Sequence, residues 1–212
     1  MSRRWLGPVV IVAMAVFVAV VYGRLPARIP VHWNTAGEVS EWRSRGWAWL
    51  LPALAAALRL LLPLLRRIDP RREHYQRFDE TFWIVVNVVI LLFAAVEVAT
   101  LGYALGWPMD PTQVILAIVG VSLLVLGNYM PRVRSNWWIG VRTPWTLSSE
   151  QVWRETHRLA GKTFVLGGLV VLAALPLRPP LRAWVVVSGI ALASGVPAVY
   201  SYFSWRRVMR NG

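Results

Sequence analysis

The sequence contains no cysteine and few charged residues, and both shortages limit what the chain can be. Without cysteine it can form no disulfide, no thiolate metal site and no cysteine nucleophile. Charged residues make up 16% of the 212 residues, whereas a soluble domain has roughly 25%. The apolar residues are gathered in long runs, which is typical of a membrane protein.

Six apolar runs are long enough, or nearly long enough, to cross a bilayer as helices. A helix needs roughly 20 residues to cross the hydrocarbon core; the fourth run has 17 and the fifth only 15. The sequence therefore predicts an all-α membrane protein with six transmembrane helices and a short cytoplasmic interfacial helix. The predicted spans are residues 5–22, 47–65, 81–105, 114–130, 163–177 and 183–203.

Basic residues accumulate in alternate gaps between these runs. Sixteen Lys and Arg lie at the termini and in gaps 66–80 and 131–162, against six in gaps 23–46, 106–113 and 178–182. Because positive charge collects on the cytoplasmic side, both termini and loop 131–162 are predicted inside, and loop 23–46 outside. The expected division is a two-span region, residues 1–80, followed by a four-span region, residues 81–212.

The same charge pattern explains the net charge of +13. Direct nucleic-acid binding, the alternative explanation, needs a basic stripe on a folded polar domain. The arginines instead lie in the gaps between apolar runs, so we expect contact with the lipid bilayer and no direct contact with nucleic acid.

The predicted outer loop, residues 23–46, holds a short polar cluster. Pro26 and Pro30 favour extended backbone, and residues 34–37 have the composition of a turn. His32, Asn34 and Glu38 are the candidates for ligand binding in this loop. A zinc site needs three or four protein ligands, and His32 is the one strong candidate, so we predict no metal. The alternative is a compact cap packed on the bilayer surface.

The predicted inner loop, residues 131–162, has the densest pattern. Ser148 and Gln151 fit a capping box, which predicts an interfacial helix that ends at Gly161. Arg142 is expected to be held in place, with Trp145 packed on that helix. The candidates for ligand or partner binding in and beside this loop are Asn128, Asn136, Arg142, Thr143, Trp145, His157 and Arg158.

A catalytic site on the inner side is an alternative for the same residues. Glu155 and His157, with His74, Asp79 and Glu80, could form an acid/base or metal site. The sequence has no H-E-x-x-H, G-x-S-x-G or glycine-rich phosphate-loop pattern. We therefore assign no catalytic residue, metal or cofactor and expect a surface helix with solvated charges; whether the chain is an enzyme stays open.

Two charged residues fall within predicted spans. Arg59 can reach the inner headgroups by extending its side chain. Glu97 lies about 12 Å from the outer end of its helix, where a carboxylate is costly unless it faces a cavity or a partner, or is protonated. Together with Asn87 and Asn128 it would line a polar path, so a transporter or lipid-handling protein is the alternative function.

Two strings resemble a known family. G-V-R-T-P-W-T-L at residues 140–147 resembles the signature of SdpI-type bacterial immunity proteins, and I-P-x-H-W-N-x-x-G at residues 29–37 resembles the membrane domain of unknown function that often precedes it. The resemblance implies a multi-pass protein of the bacterial plasma membrane. It also implies binding or neutralising of a secreted peptide toxin outside and sequestration of a transcriptional repressor inside.

Overall fold

The computed structural model describes residues 3–211, and about three quarters of them fall in helices. The helices are α1 (Arg3–Val21), α2 (Leu50–Ile68), α3 (Asp79–Ala104), α4 (Pro111–Tyr129), α5 (Pro144–Ser148), α6 (Glu150–Ala173) and α7 (Leu181–Asn211). Among the described residues, five helices are long and apolar enough to cross a membrane: α1, α2, α3, α4 and α7. The predicted class, an all-α membrane protein, is confirmed.

The remaining predicted span, residues 163–177, begins within helix α6. This helix has 24 residues and is therefore about 36 Å long, but charged residues fill its first half. The predicted end at Gly161 is wrong, because the helix continues through this residue. A Cβ on Gly161 would lie 2.8 Å from Cγ of Pro131 and 3.0 Å from the carbonyl oxygen of Gly127. This glycine allows a close approach between chain segments and does not cap a helix.

The caps of the inner loop also differ from the prediction. Ser149, and not Ser148, is the N-cap of α6, and its hydroxyl accepts the N–H of Val152 at 3.4 Å. The capping box belongs to Thr143 and Thr146, which close the first turn of α5. The short separate helix of this loop is thus α5, while the predicted interfacial helix is the first half of α6.

The predicted outer loop folds into a β-hairpin that the sequence analysis did not predict. Strands β1 (Arg28–Trp33) and β2 (Val39–Ser44) pair antiparallel. The side-chain oxygen of Asn34 accepts the N–H groups of Ala36 and Glu38 at 2.9 and 3.0 Å. Gly37 has a φ of 88°, a left-handed conformation that favours glycine. The expected turn at residues 34–37 is therefore confirmed.

Helix α6 packs closely against α4 and α7 through glycines. Gly120 and Gly168 face each other between α4 and α6. A Cβ on Gly167 would collide with the carbonyl oxygen of Gly189 on α7 and lie 2.9 Å from Cβ of Ala193. Small residues at such crossings let membrane helices approach closely. The sequence analysis gives no residue of α6 this role.

Helices α1 and α2 pack against α3, which also contacts α4. The starts of α1 and α3 meet where Nη2 of Arg4 lies 2.7 Å from Oδ2 of Asp79, and the end of α7 meets α6 where Arg207 pairs with Glu155. We call this the motif end, and the opposite end, with β1 and β2, the hairpin end. The division at residues 80 and 81 stays a prediction.

Candidate functional site

The motif loop, residues 130–149, folds around the buried amide of Asn136. Its oxygen accepts the N–H groups of Trp138 and Ile139 at 2.8 and 2.7 Å. Its nitrogen donates to the carbonyls of Arg134 and Ile139 at 2.8 and 2.9 Å. Asn136 is completely buried, so its polar atoms are occupied by this chain and are not available to a ligand.

The turn between α2 and α3 holds this loop through hydrogen bonds, and we call these contacts the clamp. The carboxylate of Asp69 accepts the N–H of Trp137 at 2.9 Å and of Arg71 at 2.7 Å, and the hydroxyl of Tyr75 at 2.7 Å. Arg71 in turn donates to the hydroxyl of Ser135. Burial and the bond to Asp69 raise the pKa of the Tyr75 hydroxyl, so that it remains a hydrogen-bond donor at physiological pH.

His157 joins α6 to the string at residues 140–147. Its Nε2 lies 3.0 Å from the N–H of Val141, and its Nδ1 lies 2.9 Å from the carbonyl oxygen of Trp153. Because a backbone N–H only donates and a carbonyl only accepts, Nδ1 carries the proton and the ring is neutral. Burial lowers the pKa of His157 to about 4, in agreement with this state.

Gly140 is required for this contact. Its φ is 115°, a conformation that side chains rarely adopt, and a Cβ there would collide with Nε2 of His157. The imidazole also stacks on the ring of Trp153, with centroids 4.0 Å apart. The Nε1 of Trp153 donates to the carbonyl of Val133 at 2.8 Å. The neutral, enclosed imidazole positions the motif loop and is poorly placed for acid/base work.

Thr143 and Trp145 attach the same string to α7. The hydroxyl of Thr143 lies 2.9 Å from that of Ser201. The ring of Trp145 packs edge-on against Tyr202, with centroids 5.1 Å apart. Trp145 thus has a neighbour on α7, whereas the sequence analysis placed it on the helix that begins near Ser149. The reason is that α5 is a separate turn, which directs its aromatic side chain to α7.

Three predicted residues of this end lie at the surface. Arg142 is exposed, but its Nη1 donates to the carbonyl of Trp137 at 2.7 Å, so the loop itself holds the guanidinium. Arg158 is exposed on α6. Asn128 is exposed and donates to the carbonyl of Leu124 in its own helix at 2.9 Å. Of these, Arg142 and Arg158 carry charged groups at the surface.

At the hairpin end, the three predicted residues are exposed and bonded within the hairpin. Nδ1 of His32 lies 2.6 Å from the hydroxyl of Ser40. The amide nitrogen of Asn34 donates to the carboxylate of Glu38 at 3.0 Å. Asn34 and Glu38 therefore close the turn, and His32 is the one of the three that lines a cavity.

Glu97 lies in the wall of that cavity, which has a volume of about 340 Å³. The residue is 2% exposed, and neither carboxyl oxygen has a hydrogen-bond partner. Of the explanations offered by the sequence, the position beside a cavity matches the structure. Arg59 lies instead over the ring of Trp83, 4.2 Å from its centroid.

No sequence pattern identifies Asp69, Arg71, Tyr75 and Ser135 as parts of the motif end. Asp69 and Trp137 are 68 positions apart, so no local pattern links them. One available signal is that Asp69 precedes a proline in a gap crowded with arginines. A carboxylate there is a natural acceptor for backbone N–H groups of a turn.

The two asparagines at this end give a matched test of the clamp. Asn136→Ala should lower the free energy of unfolding by about 3 kcal/mol or more, because buried backbone groups lose their partners. Asn128→Ala should change it by no more than about 0.5 kcal/mol, since that side chain is exposed. Thermal unfolding in detergent measures both; equal melting temperatures for the two variants would contradict the role of Asn136.

Two segments of the chain, and the chain as a whole, are similar to known proteins. The model of the SdpI/YfhL protein family matches residues 132–201, and that of a domain of unknown function, DUF1648, matches residues 9–56. Immunity protein SdpI of Bacillus subtilis (strain 168) is 25% identical over 198 residues, which cover 92% of this chain and 93% of that protein. No solved structure matches the chain. Residues 132–201 are therefore similar to the SdpI/YfhL protein family, and residues 9–56 before them are similar to DUF1648.

Proposed function

We propose that this protein protects a bacterial cell from a secreted peptide toxin, acting from within the plasma membrane. The observation that carries the proposal is the similarity to an immunity protein over 92% of the chain. This similarity, together with the long apolar helices, supports a bacterial membrane location and an immunity-type function. The toxin and the mode of its neutralisation belong to the proposal.

The proposal gives the two ends different surroundings. The hairpin end faces outside, and the motif end with both chain termini faces the cytoplasm. The positive-inside rule supports this orientation, since sixteen of the 23 basic residues lie at the termini or in gaps 66–80 and 131–162. A secreted toxin would then meet the hairpin, and a regulator would meet the motif loop.

A transcriptional repressor is the proposed partner at the motif end. Trp137 is 48% exposed there, and its carbonyl holds the exposed guanidinium of Arg142. Tryptophan and arginine are the residue types that most often dominate protein–protein binding energy. Because Asp69 holds the backbone of Trp137 and the Trp137 carbonyl holds the guanidinium of Arg142, this pair is preorganised for a partner, which lowers the entropy cost of binding.

A transporter or lipid-handling protein is the second candidate, favoured by the buried Glu97 beside a cavity. Such a protein needs polar groups along a path between the helices. Asn128, one of the residues expected on that path, is exposed and bonded to its own helix. The immunity function is therefore the better supported of the two.

A protection assay tests the proposed function. Bacillus subtilis cells that lack their own SdpI should survive exposure to the toxin that SdpI counters when they express this chain. Cells expressing Asn136→Ala, whose fold is weakened, should survive less well, and cells with the empty vector should die. Death of cells that hold normal amounts of the unmodified chain in the membrane would refute protection against that toxin.

Labelling with a membrane-impermeant maleimide tests the orientation. The chain has no cysteine, so single cysteines report without background. Thr35→Cys, at the exposed hairpin turn, should react in intact cells, and Glu150→Cys, at the start of α6, should react only after lysis. Reaction of Glu150→Cys in intact cells would reverse the proposed orientation.

A further inference from the structure

The cavity at the hairpin end is enclosed by four parts of the chain. Strands β1 and β2, the turn that leads into α2, the start of α2 and one face of α3 all line it. Its walls are mainly apolar, including Ile29, Ala48 and Val96. The volume of about 340 Å³ falls at the small end of the range of ligand pockets.

The unpartnered carboxyl group of Glu97 sets the chemistry of this cavity. The described residues supply no hydrogen bond to either oxygen, although the residue is 2% exposed. A buried polar group without partners is costly, and buried carboxylates normally have them. Thr100, one helical turn further along α3, lines the same cavity. The carboxyl group of Glu97 therefore lacks a hydrogen-bond donor, and a cationic donor would suit it best.

The basic side chains that line the cavity, Arg43 and His32, already have partners within the chain. Arg43 pairs with Glu41, and its guanidinium lies over the ring of Trp47, 5.3 Å from the centroid. His32 is bonded to the hydroxyl of Ser40. The Arg43–Glu41 pair is neutral as a unit, so the carboxyl group of Glu97 is left without a cationic partner among the residues that line the cavity.

We propose that this cavity binds a primary ammonium group carried on a short apolar chain, such as a lysine side chain of a peptide. The ammonium group donates to Glu97, and the methylene groups contact the apolar walls. Exposed residues of the hairpin, His32 and Arg43, line the cavity, so a water-borne peptide can enter there. The proposed binding of an ammonium group does not depend on the immunity function, whereas the identification of the peptide as a toxin rests on that proposed function.

Small amphipathic probes test the chemistry on the full chain in nanodiscs of phosphatidylglycerol. Isothermal titration calorimetry should show that n-hexylammonium binds about tenfold more tightly than n-hexanol, because a hydrogen bond to a charged group adds affinity that a neutral one does not. Glu97→Gln should abolish this preference. Glu73→Gln, which neutralises an exposed carboxylate at the motif end, outside the cavity lining, should retain it.

A second variant guards against misfolding of the first. Val96→Phe leaves the carboxyl group in place but fills part of the cavity, so it should weaken both probes together. Equal affinity of the two probes in the unmodified chain, or an ammonium preference that survives Glu97→Gln, would overturn the proposal. These results need no toxin, so they separate failure of this site from failure of the immunity function.

The source of the amine is tested in the same discs. An N-acetylated, amidated Leu-Lys-Leu peptide should displace n-hexylammonium, whereas Leu-Gln-Leu with the same ends should not. Addition of phosphatidylethanolamine to the discs should leave the affinity unchanged. If that lipid competes and the lysine peptide does not, the cavity holds a lipid headgroup and the peptide assignment is wrong.

Discussion

The hydrogen bond from the N–H of Val141 to Nε2 of His157 connects the signature string to the helical core. It requires a neutral imidazole, a glycine at position 140 and a helix that presents His157 to the string. At the edge of a bilayer, a loop must satisfy its backbone groups largely by itself. The motif loop does so with buried acceptors from α6, from Asp69 and from its own Asn136.

Helix α6 connects the motif loop to the rest of the helical bundle. Its first half holds the motif loop through His157 and Trp153, and its second half meets α4 and α7 at glycines. The string at residues 140–147 thus chiefly connects the motif loop to α6 and α7. The side chains of Trp137 and Arg142 are exposed around it, and the cavity beside Glu97 lies at the opposite end.

The sequence predicts those features that depend on local composition. Long apolar runs reveal the spans, and residues 34–37 reveal a turn. The hairpin is not predicted because Pro30 interrupts the alternation within β1, and pairing with β2 is not determined locally. Gly161 has the local pattern of a helix end, but its role is to allow the close approach of Pro131 and Gly127, which the local sequence does not show. The clamp from Asp69 to Trp137 escapes because 68 positions separate them.

The pH dependence of thermal unfolding tests most directly whether the neutral His157 holds the motif loop. The imidazole has an ordinary pKa of 6.5 when unfolded and about 4 when folded, so below pH 6.5 the unfolded state takes up a proton that the folded state excludes. The free energy of unfolding should therefore fall by about 1.4 kcal/mol per pH unit between pH 6.5 and 4 from this residue. His157→Gln cannot titrate at this position, so it should have a lower melting temperature than the unmodified chain at pH 7.5. Its melting temperature should also fall less on acidification, so that the two proteins approach the same value at low pH. Parallel losses in the two proteins would contradict the account.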